Sequence, residues 1–169
     1  MKKRILVLML ITALFIISLL QNNYDTYAHS SGAPSFECED CHSGGEGGSI
    51  DIMLDGLPEN YVLGKTYNLK LKVNSDVTSE GEYQGGFALT TSGGKIIVED
   101  RKNTQISENY LTHTSEGSKF REWKFKWVAP LKPNEIEFTI MAVAANGDYS
   151  PNGDVVGVEV LKIKAKEKK

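Results

Sequence analysis

The strongest constraint on the fold is a two-residue alternation that appears twice. Tyr67, Leu69, Leu71 and Val73 alternate with Asn68, Lys70 and Lys72, and Trp123, Phe125 and Trp127 alternate with Lys124 and Lys126. Side chains along an extended strand point alternately to opposite faces, so each pattern specifies a strand with one buried and one wet face. The strands so marked run from Tyr67 to Val73 and from Phe120 to Val128. Six more short apolar stretches accompany them: Ile50 to Leu54, Gly86 to Thr91, Lys95 to Glu99, Tyr110 to His113, Ile136 to Ala144 and Val155 to Ile163. Turn formers separate the stretches, among them Leu57-Pro58, Gly93-Gly94, Ala129-Pro130, Lys132-Pro133 and Asn146-Gly147. Eight short strands without a helical period imply an all-β domain, an immunoglobulin-like antiparallel β-sandwich over residues 49–165 with a basic tail at 166–169. A chain of 169 residues suits one such core.

The first segment is different material. Met1-Lys2-Lys3-Arg4 supplies positive charge and Ile5 to Leu20 is an almost wholly apolar run, the pattern of an export signal. Thr26-Tyr27-Ala28 offers a cleavage site after Ala28, so residues 1–28 read as a signal peptide or, if residues 5–20 are retained, as an N-terminal membrane anchor. No cysteine follows the apolar run closely, which argues against a lipid anchor. Losing Lys2, Lys3, Arg4 and Asp25 leaves 16 basic against 21 acidic residues, a net charge of −5. A mildly acidic domain without a basic, aromatic-interleaved face excludes nucleic acid as a partner. Lys162, Lys164, Lys166, Lys168 and Lys169 read as a solvated strand edge and tail.

Residues 29–48 carry the chemistry. Cys38-Glu39-Asp40-Cys41-His42 brings two thiols within reach of the two vinyl groups of one porphyrin and puts a histidine beside the second thiol. The expectation is an N-terminal haem-binding loop holding one haem c through Cys38 and Cys41, with His42 as the proximal iron ligand. Export and the absence of any other cysteine favour it. Two alternatives stay open at this point. One is a short-loop disulfide between Cys38 and Cys41, and the other is zinc, for which a single thiol pair and three histidines are a poor ligand supply. Ser43-Gly44-Gly45-Glu46-Gly47-Gly48-Ser49 has too little apolar surface to pack and reads as the loop leading into the first strand.

Ser30-Ser31-Gly32-Ala33-Pro34 followed by Cys38-x-x-Cys41-His42-x-Gly44 resembles the opening of the bacterial and archaeal choice-of-anchor V domain family. Later landmarks follow in the same order: Gly56-Leu57-Pro58 with Tyr61 and Gly64, Gly85-Gly86-Phe87-Ala88-Leu89, Thr112-His113-Thr114-Ser115, Trp127-Val128-Ala129-Pro130 and Ala144-Ala145-Asn146-Gly147-Asp148. The middle landmarks also look like the Reeler domain of animals. These resemblances imply an immunoglobulin-like sandwich in a secreted or surface-anchored protein with a haem-binding signature. The family's usual C-terminal anchor has no counterpart in the closing Lys-Lys.

An electron carrier usually fills both axial positions of its iron. His113 is the first candidate for the distal ligand, although Reeler-like domains have a similar His-Thr without haem; Met53 and Met141 are weaker alternatives. Cleavage after Ala28 would expose His29, whose amine and imidazole, with His113, suit copper. Asp148, Ser150 and Asn152 around Gly153, with Glu159 beyond, have calcium-loop spacing, though strand-like flanks argue against an EF-hand. There is no Ser-His-acid order, no legible carboxylate pair and no phosphate-cradling glycine loop, so no enzyme is expected. The leading function is an exported monohaem c-type cytochrome-like protein exchanging single electrons with a redox protein or membrane electron carrier. The alternatives are a non-catalytic surface or adhesion module of Reeler-like type and a copper-binding protein using N-terminal His29.

Overall fold

The computed structural model describes residues 31–33, 36, 38, 42–44 and 48–167. The expectations for residues 1–28, His29 and Cys41 lie outside these. Eleven strands follow in chain order among the described residues: β1 (Ser43–Gly44), β2 (Ile50–Asp55), β3 (Asn60–Tyr61), β4 (Thr66–Ser75), β5 (Gly85–Thr91), β6 (Lys95–Ile97), β7 (Thr104–Ser107), β8 (Tyr110–His113), β9 (Glu122–Val128), β10 (Ile136–Ala144) and β11 (Asn152–Ala165). They form an all-β sandwich of two sheets. The larger runs β1-β11-β10-β5-β8-β7, with β3 also on β11, and the smaller runs β2-β4-β9-β6. All eight expected strands are present. The additions are short, and two of them, β1 and β3, join β11 in parallel, so the larger sheet is mixed where a purely antiparallel one was expected.

The alternation works as the pattern requires. On β4, Tyr67, Leu69, Leu71 and Val73 are buried, and on β9, Trp123, Phe125 and Trp127 are buried, while the lysines between them face water or lie half-covered. The two strands pair in register, Leu69 opposite Phe125 and Leu71 opposite Trp123. This layer meets Phe87, Leu89, Leu111, Phe138 and Ile140 from the larger sheet, all essentially inaccessible to water. Trp127 is the hub, with ring centroids of Tyr61, Tyr67 and Phe138 at 5.6, 5.8 and 5.1 Å. Each buried indole N–H has a carbonyl to donate to: Trp123 Nε1 to Gly117 O at 2.8 Å and Trp127 Nε1 to Gly93 O at 3.0 Å. The Gly93-Gly94 turn has to come this close. Gly94 has φ +80°, and a Cβ there would stand 2.4 Å from Trp127 Nε1.

Removing so large a buried ring leaves a cavity that the surrounding strands cannot fill. Trp127→Ala is expected to cost about 3–5 kcal/mol of folding stability, read as the fall in unfolding free energy by denaturant titration.

Candidate functional site

The centre of the site is a carboxylate at the start of β11. The inward-facing residues of that strand include Val155 and Ile163, both buried, and Gly157, where a Cβ would meet Ile50 Cγ2 at 2.6 Å. Strand parity therefore turns Asp154, Val156, Val158 and Val160 to the outer face of the larger sheet. Val158 and Val160 are about half exposed there, yet Asp154 is only 2% exposed, because both its oxygens are covered by partners. Oδ1 accepts the Asn146 backbone N–H at 3.0 Å, and Oδ2 lies 2.6 Å from Nδ1 of His42.

The loop between β10 and β11 holds that carboxylate by a ladder of short-range hydrogen bonds. Asp148 N–H donates to Asn146 Oδ1, Ser150 N–H to Asp148 Oδ1 and Asn152 N–H to Ser150 Oγ, while Asn146 Nδ2 donates to Asn152 O. Such side-chain-to-backbone turns are what Asn, Asp and Ser do well outside regular structure. Arg121 braces the same end of the sandwich. Its guanidinium donates to Gln84 O, Val77 O and Ala145 O; burial pulls its pKa down and the charge of Asp154 opposes that shift.

His42 is brought to Asp154 by the strand that follows it. Ser43–Gly44 pairs with β11 in parallel, Ser43 opposite Asn152 and Gly44 opposite Asp154. On the other side, His42 N–H donates to Cys38 O at 3.0 Å. Cys38 itself is half-buried. Residues upstream are tied to the far side of the same sheet. Ala33 N–H donates to Thr112 Oγ1, Tyr110 OH donates to Ala33 O, and Phe36 meets the Tyr110 ring edge-on at 5.9 Å.

His113 has a different environment. It is 4% exposed, and its Nδ1 accepts the Phe87 N–H at 3.1 Å while Thr112 Oγ1 donates to Phe87 O at 2.6 Å. Side chains of β8 thus take both backbone groups of Phe87 where the β5–β8 ladder ends. The imidazole lies so close to β5 that a Cβ on Gly86 would stand 2.4 Å from its Cε1. β10 and β5 intervene between β11 and β8, so the strands presenting Asp154 and His113 are about 14 Å apart. The structure does not bring His42 and His113 together.

Nor does it bring the other candidates to His42. Met53 points outward from the smaller sheet, opposite Lys72, on the far side of the sandwich. Met141 is half-buried on the outer face of β10, opposite Val158. Asp148 and Ser150 turn side-chain oxygens to their own loop, and Glu159 sits up β11 opposite Ile140, about 13 Å along the strand from Val155. The four calcium candidates therefore share no centre. Among the described residues, no three His, Cys, Asp or Glu side chains group as a metal site.

Asp154 is the residue of the candidate site that the strand pattern hid. Asn152-Gly153-Asp154 reads as a turn, and its partner His42 is 112 positions away. One local signal exists: Asn-Gly-Asp occurs twice, at 146–148 and 152–154, and the second copy opens directly into an apolar strand.

The chain matches no protein-family model and no curated protein sequence. Some solved structures resemble it at low identity. The human F-spondin reeler domain is 14% identical, with a TM-score of 0.47 over 69% of this chain and 92% of that one. A cohesin module from a Clostridium perfringens family 33 glycoside hydrolase is 11% identical, with a TM-score of 0.41 over 72% and 98%. A structure from the AAF fimbriae of enteroaggregative Escherichia coli is 14% identical, with a TM-score of 0.36 over 70% and 100%.

The His113 contacts generate a stability prediction. His113→Ala strips the Phe87 N–H of its buried acceptor and is expected to cost roughly 1–3 kcal/mol, measured by denaturant titration. In haem-loaded protein the same substitution is expected to leave the spin state unchanged; a low-spin to high-spin conversion would instead mark His113 as an iron ligand.

Proposed function

We propose that the chain is a non-catalytic β-sandwich module working outside the cytoplasm, and that its N-terminal segment carries one haem c on Cys38 and Cys41 with His42 as an axial ligand of the iron. The observation that carries this proposal is the placement of His42. An imidazole whose Nδ1 is engaged by a buried carboxylate presents Nε2 as its remaining ring nitrogen, the arrangement metal-bound histidines commonly have. The segment fits in a second respect, since the Cys38 carbonyl accepts the His42 N–H.

Attachment needs no group that the motif lacks. Cys38 and Cys41 would hold the group as thioethers, each S–H adding across one vinyl C=C with no net loss of atoms. Bound there, the iron supplies a one-electron couple, and a redox protein or membrane electron carrier is the matching partner class. The chain's own contribution is to hold the ring, through Asp154, and to hold the segment, through the contacts of Ala33 and Phe36 on β8.

A second reading is a surface or adhesion module of Reeler-like type in which the cysteines pair with each other. It draws on the outward row of Val156, Val158 and Val160, an apolar surface that a partner could cover.

Expression of the full chain in a host with haem c maturation separates the two. The expected product has the mass of one haem added and a reducible Soret and α band, and Cys38→Ala with Cys41→Ala abolishes the covalent adduct. A haem-free protein with a Cys38–Cys41 disulfide would establish the second reading.

A further inference from the structure

Asp154 invites more than a structural explanation. A carboxylate that is 98% buried must have its charge compensated. Here the compensation consists of a backbone N–H from Asn146, the nearby charge of Arg121 and the Nδ1 of His42 at 2.6 Å. An ionised carboxylate can only accept hydrogen bonds, so Nδ1 of His42 is the donor in this pair. That fixes the tautomer. The proton resides on Nδ1, between ring and carboxylate, and the lone pair of the neutral imidazole is on Nε2. A hydrogen bond this short to an anion also moves electron density into the ring, which makes Nε2 a stronger donor to a metal.

We infer that Asp154 is the positioning residue of the proposed haem site, setting the tautomer, orientation and donor strength of His42 and thereby favouring ferric over ferrous iron. The inference rests on the haem attachment proposed above and adds a residue that the Cys-x-x-Cys-His motif does not contain. A docking role alone would also give a buried His–Asp contact, pinning the N-terminal segment to β11. The two differ in what the iron registers. A clip that merely holds the chain alters stability, whereas a donor-strength effect alters the equilibrium between the two iron states.

The test compares haem-loaded wild type with Asp154→Asn, the amide keeping the shape of the side chain and removing its charge. At a fixed ambient potential, the ferrous-to-ferric ratio is expected to rise about tenfold in Asp154→Asn, equivalent to about 59 mV for one electron. The iron–histidine stretching band is expected to fall in frequency, observed by resonance Raman in the five-coordinate ferrous form left by flash photolysis of the carbon monoxide adduct. Should Asp154→Asn not fold, the wild type in denaturant serves instead: the thioethers keep the haem beside His42 while the Asp154 contact is lost, and the same fall is expected on unfolding. An unchanged potential and an unchanged stretching frequency in a haem-loaded variant would overturn the role of Asp154 and leave haem attachment standing. A wild type that takes up no haem would overturn the attachment itself.

Discussion

Two sheets meet on one strand of aromatic residues, and everything else in the molecule is arranged around that contact. β9 buries Trp123, Phe125 and Trp127 on one face. Because indoles are large and carry a donor, the strand fixes both the spacing of the sheets and the path of the turns that supply carbonyls to the two N–H groups. The Gly93-Gly94 turn and the 3-10 turn at Gly117–Lys119 are where they are because an indole needs each of them. The chain then crosses repeatedly from one sheet to the other, so that a strand of either sheet is held by neighbours distant in sequence.

The sandwich was legible because the alternation is a local property. Tyr67 to Val73 and Trp123 to Val128 announce their buried faces residue by residue, and the observed strands coincide with the expected ones to within a few positions. The short strands were not legible. Thr104-Gln105-Ile106-Ser107 has one apolar residue and is an edge, while Ser43–Gly44 and Asn60–Tyr61 are strands only because β11 is beside them. A two-residue pairing is dictated by tertiary context, and no pattern of its own precedes it.

The candidate site divides along the same line. Cys38, Cys41 and His42 can be read as a unit because they are close in sequence, and His42 N–H donates to Cys38 O. The surroundings of His42 come from elsewhere: Asp154, Asn146 and Arg121 converge from β11, the loop before it and the segment before β9. His113 shows the converse. Its residue type suggested a ligand, but its neighbours give it a backbone N–H to satisfy in the interior of the sheet. Chemical identity is written locally, and environment is written across more than a hundred positions.

The parity of β11 ties the site to the core in a way that leaves little freedom. Val155 opposite Ala144 and Ile163 opposite Ile136 define the pairing of β10 with β11. A slip of one residue would exchange the faces of the whole strand, sending the Asp154 carboxylate toward the aromatic layer and offering His42 Gly153 or Val155 in its place. Alignment of the hairpin and the contact between His42 and Asp154 are therefore a single variable. Any change that shifts the register, however far from the cysteines, breaks that contact at the same stroke.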